Sequence, residues 1–136
     1  MSHKLKYRVL NQTLAVCKCG RGAPIPAPAP NSEFYCVTRT TTELSIVCPE
    51  NNIGANPDGI AVERGWRAVK LEGPFPFSLT GVLASFLQPL SAAKIAIFAV
   101  STFDTDYVLI KEVDLQPALR ALESAGHELV GEGTPS

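Results

Sequence analysis

The second half of the chain has the clearest alternation of apolar and polar positions. Residues 65–73 (GWRAVKLEG) place apolar side chains at alternate positions and end at glycine and proline, which predicts a half-buried strand. Apolar residues then recur at three- and four-residue spacing, which predicts a helix with Ser78 as its N-cap and a kink or early end near Gln88, because Pro89 follows. The apolar runs IAIFAV and YVLI flank the polar segment STFDTD and predict two antiparallel strands joined by a turn.

The rest of this half completes one supersecondary unit. Asp114 is a candidate N-cap for a second helix, Gly126 is a good helix stop, and residues 128–130 predict a last short strand. The order βαββαβ is that of the ferredoxin-like fold, in which both helices pack on one face of a four-stranded antiparallel sheet.

The first half carries a degenerate copy of the same pattern. A shift of 63 residues aligns FYCVTRTTTELSIVC, from Phe34, with IFAVSTFDTDYVLIK, from Ile97, so one strand–turn–strand element is expected twice. Residues 14–19 predict a first strand, but APIPAPAP follows, and proline at every second position excludes a helix there. After Cys48, PENNIGANPDG predicts a loop, and IAVERG predicts at most a helical turn or the beginning of a short strand.

These patterns together predict an α+β fold. We expect two tandem ferredoxin-like (βαββαβ) units with antiparallel sheets and helices on one face. The first unit, residues 1–64, is expected to be degenerate and to lack its first helix, and the second, residues 65–136, to be complete.

Composition narrows the class of protein. Hydrophobic residues make up 46% and charged residues 18% of the 136 positions, which is typical of a globular chain. Twelve Lys and Arg against thirteen Asp and Glu leave a net charge of −1, so no basic surface for nucleic acid is expected. The sequence has neither a signal-peptide pattern nor an apolar run of about 18 residues, so we expect no membrane association and a cytoplasmic localisation.

The candidate reactive residues do not form a known catalytic or metal-binding pattern. Cys17, Cys19, Cys36 and Cys48 lack the paired spacing of zinc knuckles and most lie in apolar runs, so structural thiols are expected, with a metal or disulfide role as the alternative. The two histidines have no nearby nucleophile pattern, and there is no P-loop, GxGxxG or HExxH. We therefore expect neither an enzyme nor a cofactor.

A family resemblance adds to this interpretation. The segment LTGVLASFLQPLSAAKIAIFAVSTFDTDYVLI resembles the ACT domain, a regulatory amino-acid-binding module, through Gly81 two residues before Leu83, the small residues Ala92 and Ala93, and the strand pair with its polar turn. Over nearly the whole chain, APIP, VTRTTTELSIVCPE, ERGWRAVKLEG and STFDTDYVLIKE resemble small bacterial tandem ACT proteins, related to the ACT regions of aspartate kinase and to the CASTOR arginine-sensor family.

The resemblance implies where a ligand binds. ACT units pair side by side, within a chain or across a dimer, and hold a small amino acid at the junction, between residues 73–81 and residues 101–106. In the arginine sensors a Ser-Thr-aromatic-x-x-Asp turn contributes contacts, which here are Ser101, Thr102, Phe103 and Asp106. The loop PFPFSLTG differs from those relatives because it has no carboxylate.

Elementary chemistry points to the same segments. A zwitterionic amino acid needs donors for its carboxylate, which a helix start provides, and an acceptor for its ammonium group. The candidate donors are at Ser78, Leu79, Thr80 and Gly81, and the candidate acceptors are Asp104 and Asp106. The alternative is that Ser78 or Thr80 caps the helix and that Asp104 belongs only to the turn. Arg67, beside Trp66, is expected to be a solvated charge.

The sequence therefore predicts a non-catalytic regulatory protein that senses a small amino acid at an ACT–ACT interface. The alternative is a structural protein whose sheets only mediate oligomerisation. In either case we expect a homodimer or larger assembly, because short strands leave edges that a second subunit can cover.

Overall fold

The computed structural model describes residues 3–55 and 59–132, so part of the predicted loop after Cys48 lies outside the described residues. Its elements are β1 (Lys6–Cys19), β2 (Cys36–Arg39), β3 (Leu44–Pro49), a 3₁₀ turn (Glu50–Asn52), β4 (Ala61–Leu71), α1 (Val82–Ala92), β5 (Ile97–Ser101), β6 (Asp106–Lys111), a second 3₁₀ turn (Glu112–Asp114), α2 (Leu115–Ser124) and β7 (Glu128–Glu132). Within this part of the chain, no helix has the length and apolar character needed to cross a membrane.

All seven strands belong to one sheet. Its order is β2-β3-β1-β4-β6-β5, and β7 pairs with β1 as the sheet's single parallel pair among the described strands. The predicted α+β fold is confirmed. Strand β1 is longer than predicted, and it pairs with β4 on one side and with two strands on the other: β3 pairs with its second half and β7 with its first.

Both predicted units can be recognised in this sheet. The order β4-β1-β3-β2 is the ferredoxin-like order for the first half, and residues 20–35 form no helix, as the prolines predict. The order β7-β1-β4-β6-β5 is the same arrangement for the second half, with β1 inserted beside β4. Residues 61–65 of IAVERG are the first part of the eleven-residue β4, so a strand does begin there, but it is longer than the short element predicted. Because β4 continues through Gly65, the division at residues 64 and 65 remains a prediction.

The repeated hairpin aligns at 62 residues and not at the predicted 63. In the first hairpin Cys36 pairs with Val47, and in the second Phe98 pairs with Leu109, so both partners differ by 62. The two 3₁₀ turns that follow, Glu50–Asn52 and Glu112–Asp114, have the same separation. A shift of one residue exchanges the two faces of a strand, and only the 62-residue shift matches buried positions on the same face.

An irregularity in β1 is fixed by two charged side chains. The register of β1 against β4 shifts between Val9 and Thr13, so the backbone there leaves the ladder. The Glu33 carboxylate accepts hydrogen bonds from the backbone N–H groups of Asn11 and Gln12, at 2.7 and 3.1 Å. Arg67 Nη2 donates to the Leu10 carbonyl at 2.8 Å, and Arg67 is only 2% exposed, so the expectation of a solvated charge is wrong.

The two faces of the sheet carry different cores. On one face α1 and α2 cover a cluster that includes Tyr7, Val69 and Val108. On the other face Leu14, Trp66 and Leu109 pack with Phe34. Among the described residues, no helix covers this second face. Residues of β2, β3 and β5 line a shared cavity on that second face, so the two ends of the strand order approach each other there.

Helix α1 differs from its predicted bounds at both ends. It begins at Val82 with Gly81 as its N-cap, so Ser78 is not the cap, and it continues through Pro89 to Ala92, so the early end near Gln88 is also wrong. Proline provides no N–H for the carbonyl four residues earlier, which belongs to Ser85. His127 Nε2 lies 3.1 Å from the Ser85 oxygen and replaces the missing donor.

His127 is held as a neutral side chain. It is 5% exposed, and its Nδ1 accepts a hydrogen bond from the Leu5 N–H at 3.1 Å, which leaves Nε2 to donate to the Ser85 carbonyl. Burial lowers the pKa of His127, the contact with the Ser85 carbonyl raises it, and nearby Lys4 lowers it further, so the net direction is downward. His127 is the residue before β7, and its side chain therefore connects that position to Leu5, just before β1, and to Ser85 in α1.

We predict that His127 makes the free energy of unfolding depend on pH in a defined direction. Because its folded pKa lies below its unfolded value of about 6.5, the unfolded chain binds the proton more readily. This contribution to stability is complete above about pH 6.5 and falls as the pH drops below it. Urea unfolding between about pH 7.5 and 5.5 measures the slope.

His127→Asn should flatten the slope in this interval, because it removes the buried imidazole while keeping a polar side chain. A His127→Asn protein that keeps the parent slope would show that another group causes it.

Candidate functional site

The two segments predicted to bind a ligand meet at one pocket. Its volume is about 330 Å³, and it lies between the loop before α1 (residues 73–81, the helix-start loop) and the turn between β5 and β6 (residues 101–106, the strand turn). Of the predicted site residues, Leu79, Gly81, Ser101, Thr102, Phe103, Asp104 and Asp106 line this pocket. Ser78 and Thr80 are not among its lining residues.

The start of α1 has no side-chain cap. Gly81 occupies the N-cap position with φ 81°, a left-handed conformation that glycine adopts without a steric penalty. No side-chain hydrogen bond caps this end, so neither Ser78 nor Thr80 has the capping role considered as the alternative. The first N–H groups of a helix have no partner within it, and here no protein side chain replaces one at the cap.

The strand turn is held by its own hydrogen bonds. The Thr102 N–H donates to the Thr105 carbonyl at 2.8 Å, and the Ser101 hydroxyl donates to Asp106 Oδ1. Buried Thr105 donates its hydroxyl to the Leu71 carbonyl at 2.6 Å, which attaches the turn to the end of β4. Asp106 is therefore oriented, and since an ionised carboxylate offers about four acceptor positions, it can accept further hydrogen bonds.

Direct contacts join the helix-start loop to the strand turn. The Phe75 N–H donates to the Asp104 carbonyl at 2.8 Å, so the backbone of Asp104 has the expected turn role. A Cβ added at Gly73 would lie 2.9 Å from the same carbonyl oxygen, which is closer than Cβ atoms in proteins come to other heavy atoms. At the rim, the rings of Phe77 and Phe103 pack edge to face with centroids 4.9 Å apart, although both residues are more than three-quarters exposed.

The pocket combines one acidic side with apolar walls. Asp104 and Asp106 are its charged residues, and no Lys, Arg or His is present among the described residues that line it. The uncapped start of α1 contributes the positive end of the helix dipole. This arrangement suits a small molecule with one anionic group at the helix and one cationic group at the carboxylates.

Some residues of the pocket lie within the two predicted segments but were not singled out as site residues. Thr105, Phe75 and Phe77 either line it or position its two sides. Thr105 has a polar side chain that points into the sheet at a turn, and no period in the sequence distinguishes it from its neighbours. Phe75 and Phe77 belong to the PFPF of the predicted helix-start loop, which the sequence distinguished only by its lack of a carboxylate.

The cysteines lie away from this pocket. All four are free thiols, with Cys17 and Cys48 buried and Cys19 and Cys36 partly buried. Burial raises the pKa of the Cys17 thiol, and it raises that of Cys48 to about 11, so both are protonated at neutral pH. In the described part of the chain, no group of three or more His, Cys, Asp or Glu residues is placed to hold a metal ion.

Comparison with known proteins agrees with this geometry. The fold is ferredoxin-like, as in ACT-domain proteins. The ACT domain family model matches residues 61–124, and a second model, of an N-terminal domain, matches residues 12–56. A protein of known crystal structure from Agobacterium tumefaciens is 38% identical over 99% of this chain and 98% of its own, with a TM-score of 0.88. Residues 61–124 of this chain belong to the ACT domain family.

More distant relatives are larger proteins. The human protein named cytosolic arginine sensor for mTORC1 subunit 1 is 34% identical over 103 residues, or 71% of this chain and 31% of the relative. The chain therefore spans about a third of the length of the curated relatives it matches. Aspartate kinase from Clostridium acetobutylicum shares the fold, with a TM-score of 0.68 at 13% identity over 93% of this chain and 36% of the kinase chain.

We predict that Gly73→Ala separates the two sides of the pocket. The added Cβ would meet the Asp104 carbonyl oxygen at 2.9 Å and the Phe75 ring at 3.1 Å, so the helix-start loop must move from the strand turn. The expected loss of stability is about 1–3 kcal/mol. Thermal unfolding measures it, with Gly22→Ala as the control, because a Cβ at Gly22 meets nothing within 4 Å. Equal melting temperatures for the two variants would contradict this packing.

Proposed function

We propose that this chain is a non-catalytic regulatory protein that senses a small amino acid in the pocket between the helix-start loop and the strand turn. The observation that carries the proposal is the uncapped start of α1, which lies across one pocket from Asp106. The two groups are complementary to the two charges of a zwitterion. Membership of the ACT domain family supports a regulatory amino-acid-binding role.

The proposed binding mode follows from the fixed groups. The ligand carboxylate accepts hydrogen bonds from the first N–H groups of α1, which no side chain caps. The ammonium group donates to Asp106, which Ser101 orients, and to Asp104. Phe77 and Phe103 lie at the rim, where they cover the ligand's side chain. Each charged hydrogen bond contributes about 1.5–3 kcal/mol.

The composition of the pocket narrows the set of amino acids to be tested. With two carboxylates and no basic lining residue, a second positive charge on the ligand is favourable and a second negative charge is not. A relative is named an arginine sensor, and this supports including the basic amino acids in the first screen. The word cytosolic in that relative's name supports the proposed cytoplasmic localisation.

The competing function is a structural protein whose sheet only mediates assembly. Its support is the group of exposed apolar side chains at the pocket rim, Phe77, Leu79 and Phe103. A melting-temperature screen against the common amino acids separates the two proposals, since a ligand that binds only the folded protein raises the melting temperature. If none of the amino acids raises it, the sensing proposal is wrong and the structural one is favoured.

We predict that Asp106→Asn weakens binding of the amino acid found in that screen by about tenfold to a hundredfold, or about 1.5–3 kcal/mol. The amide keeps the acceptor for Ser101 but loses the charge that holds the ammonium group. Calorimetric titration measures the affinity, and Glu123→Gln, which removes an exposed carboxylate from α2, should bind as the parent does. If Asp106→Asn is folded and binds as tightly as the parent, the site is elsewhere.

We also propose that the protein forms a homodimer or larger assembly. Strands β2 and β5 end the strand order, and the apolar rim residues are exposed, so a second chain has both edges and apolar surface to cover. Light scattering at micromolar concentration is expected to give at least about twice the 14.5 kDa of one chain. A mass of one chain with or without the amino acid would contradict the assembly but not the binding proposal.

A further inference from the structure

A cavity of about 700 Å³ lies on the sheet of the first unit, on the face that α1 and α2 cover in the second unit. Its floor includes Cys17, Ile46 and Cys48, and the loop of residues 20–35 passes over it. The volume falls within the range of roughly 300–1,000 Å³ found for small-molecule sites. This cavity is separate from the amino-acid pocket and shares no lining residue with it.

The internal repeat explains why the cavity exists. Cys17 pairs with Ile46 across β1 and β3, in the way that Val69 pairs with Val108 across β4 and β6. Val69 and Val108 are completely buried beneath the two helices. Among the described residues of the first unit no helix lies on this face, and the proline-rich loop passes over the matching surface but leaves a cavity between itself and the sheet.

The walls of the cavity define the chemistry of its ligand. The described residues that line it include no Asp, Glu, Lys, Arg or His, so a charged molecule would lose its hydration without gaining a counter-charge. Alanine, proline and isoleucine side chains dominate, with three thiols and with Tyr35 and Asn52 as polar groups. The described lining therefore favours a neutral ligand over a zwitterionic one.

The covering loop is held in place over the cavity. Tyr35 donates its hydroxyl to the Pro26 carbonyl, Arg39 donates to the Ala23 carbonyl, and Arg21 donates to the Thr41 carbonyl at 3.0 Å. These bonds join the loop to itself and to the β2–β3 hairpin. The cavity is thus formed before any ligand binds, which reduces the ordering cost of binding.

We infer that this cavity is a second binding site, which takes one neutral, largely apolar small molecule in the place that the helices of the first unit would occupy. The ligand covers the surface formed by Cys17, Cys19 and Ile46, and one carbonyl or hydroxyl group of the ligand can reach Asn52 at the side. The site goes beyond the proposed amino-acid sensing and does not depend on it.

The test uses N-phenylnaphthylamine, a neutral fluorescent probe, with the full-length protein. We expect saturable binding of one probe per chain, and binding of its sulfonated, anionic analogue at least about tenfold more weakly. Cys19→Trp places a large side chain in the cavity and should weaken probe binding at least about tenfold. The matched control is Cys36→Trp, a partly buried cysteine on the opposite face, which should bind within about twofold of the parent.

Two results would overturn the inference. One is a folded Cys19→Trp protein that binds the probe as the parent does, which would move binding to the exposed Phe77, Leu79 and Phe103. The other is equal affinity for the neutral and anionic probes.

A second measurement keeps the test decisive if Cys19→Trp does not fold. In the parent protein, saturating probe should slow alkylation of Cys19 by iodoacetamide at least about fivefold. Cys36 is similarly half-buried and serves as the internal reference, with no change expected. Protection of both cysteines or of neither would contradict the assignment.

Discussion

The pairing of β1 with β4 is the constraint on which the rest of the structure depends. These two long strands place the first unit beside the second in a single sheet, and β1 then bonds β3 with its second half and β7 with its first. The pairing also has to absorb an irregular segment, where Glu33 accepts from the backbone N–H groups of Asn11 and Gln12, and buried Arg67 donates to a carbonyl. If β1 and β4 did not pair, the sheets of both units would be broken at the same place.

The same pairing determines where the amino-acid pocket lies. Strand β4 ends at Leu71, and its last carbonyl accepts the hydroxyl of Thr105, which fixes the height of the strand turn relative to the helix-start loop. His127 holds the other side of helix α1, because its Nε2 donates to the Ser85 carbonyl, which Pro89 leaves without a backbone donor. The two sides of the pocket are thus held by different parts of the sheet, and a ligand between them would contact both.

The sequence predicted those features that depend on local periodicity. The hairpins, both helices and the prolines that exclude a helix before Phe34 follow from residues close together in the chain. The two pocket segments came from the family resemblance and from the groups that a zwitterion needs. The start of α1 was predicted three residues too early, because serine is in general a better N-cap than glycine. In the structure the N-cap is Gly81, whose left-handed backbone conformation glycine adopts without a steric penalty. Buried Arg67, the length of β1 and its pairing with β7 depend on contacts between distant residues, which no local pattern encodes.

The shared strand has a consequence for cutting the chain into parts. Two modules joined end to end have two cores that could be separated at the junction. Here the first strand lies between the fourth and the last, so the two halves are interleaved in one sheet. A fragment that ends at the junction would leave β4 or β7 without its neighbour β1, so the chain has to fold as one unit.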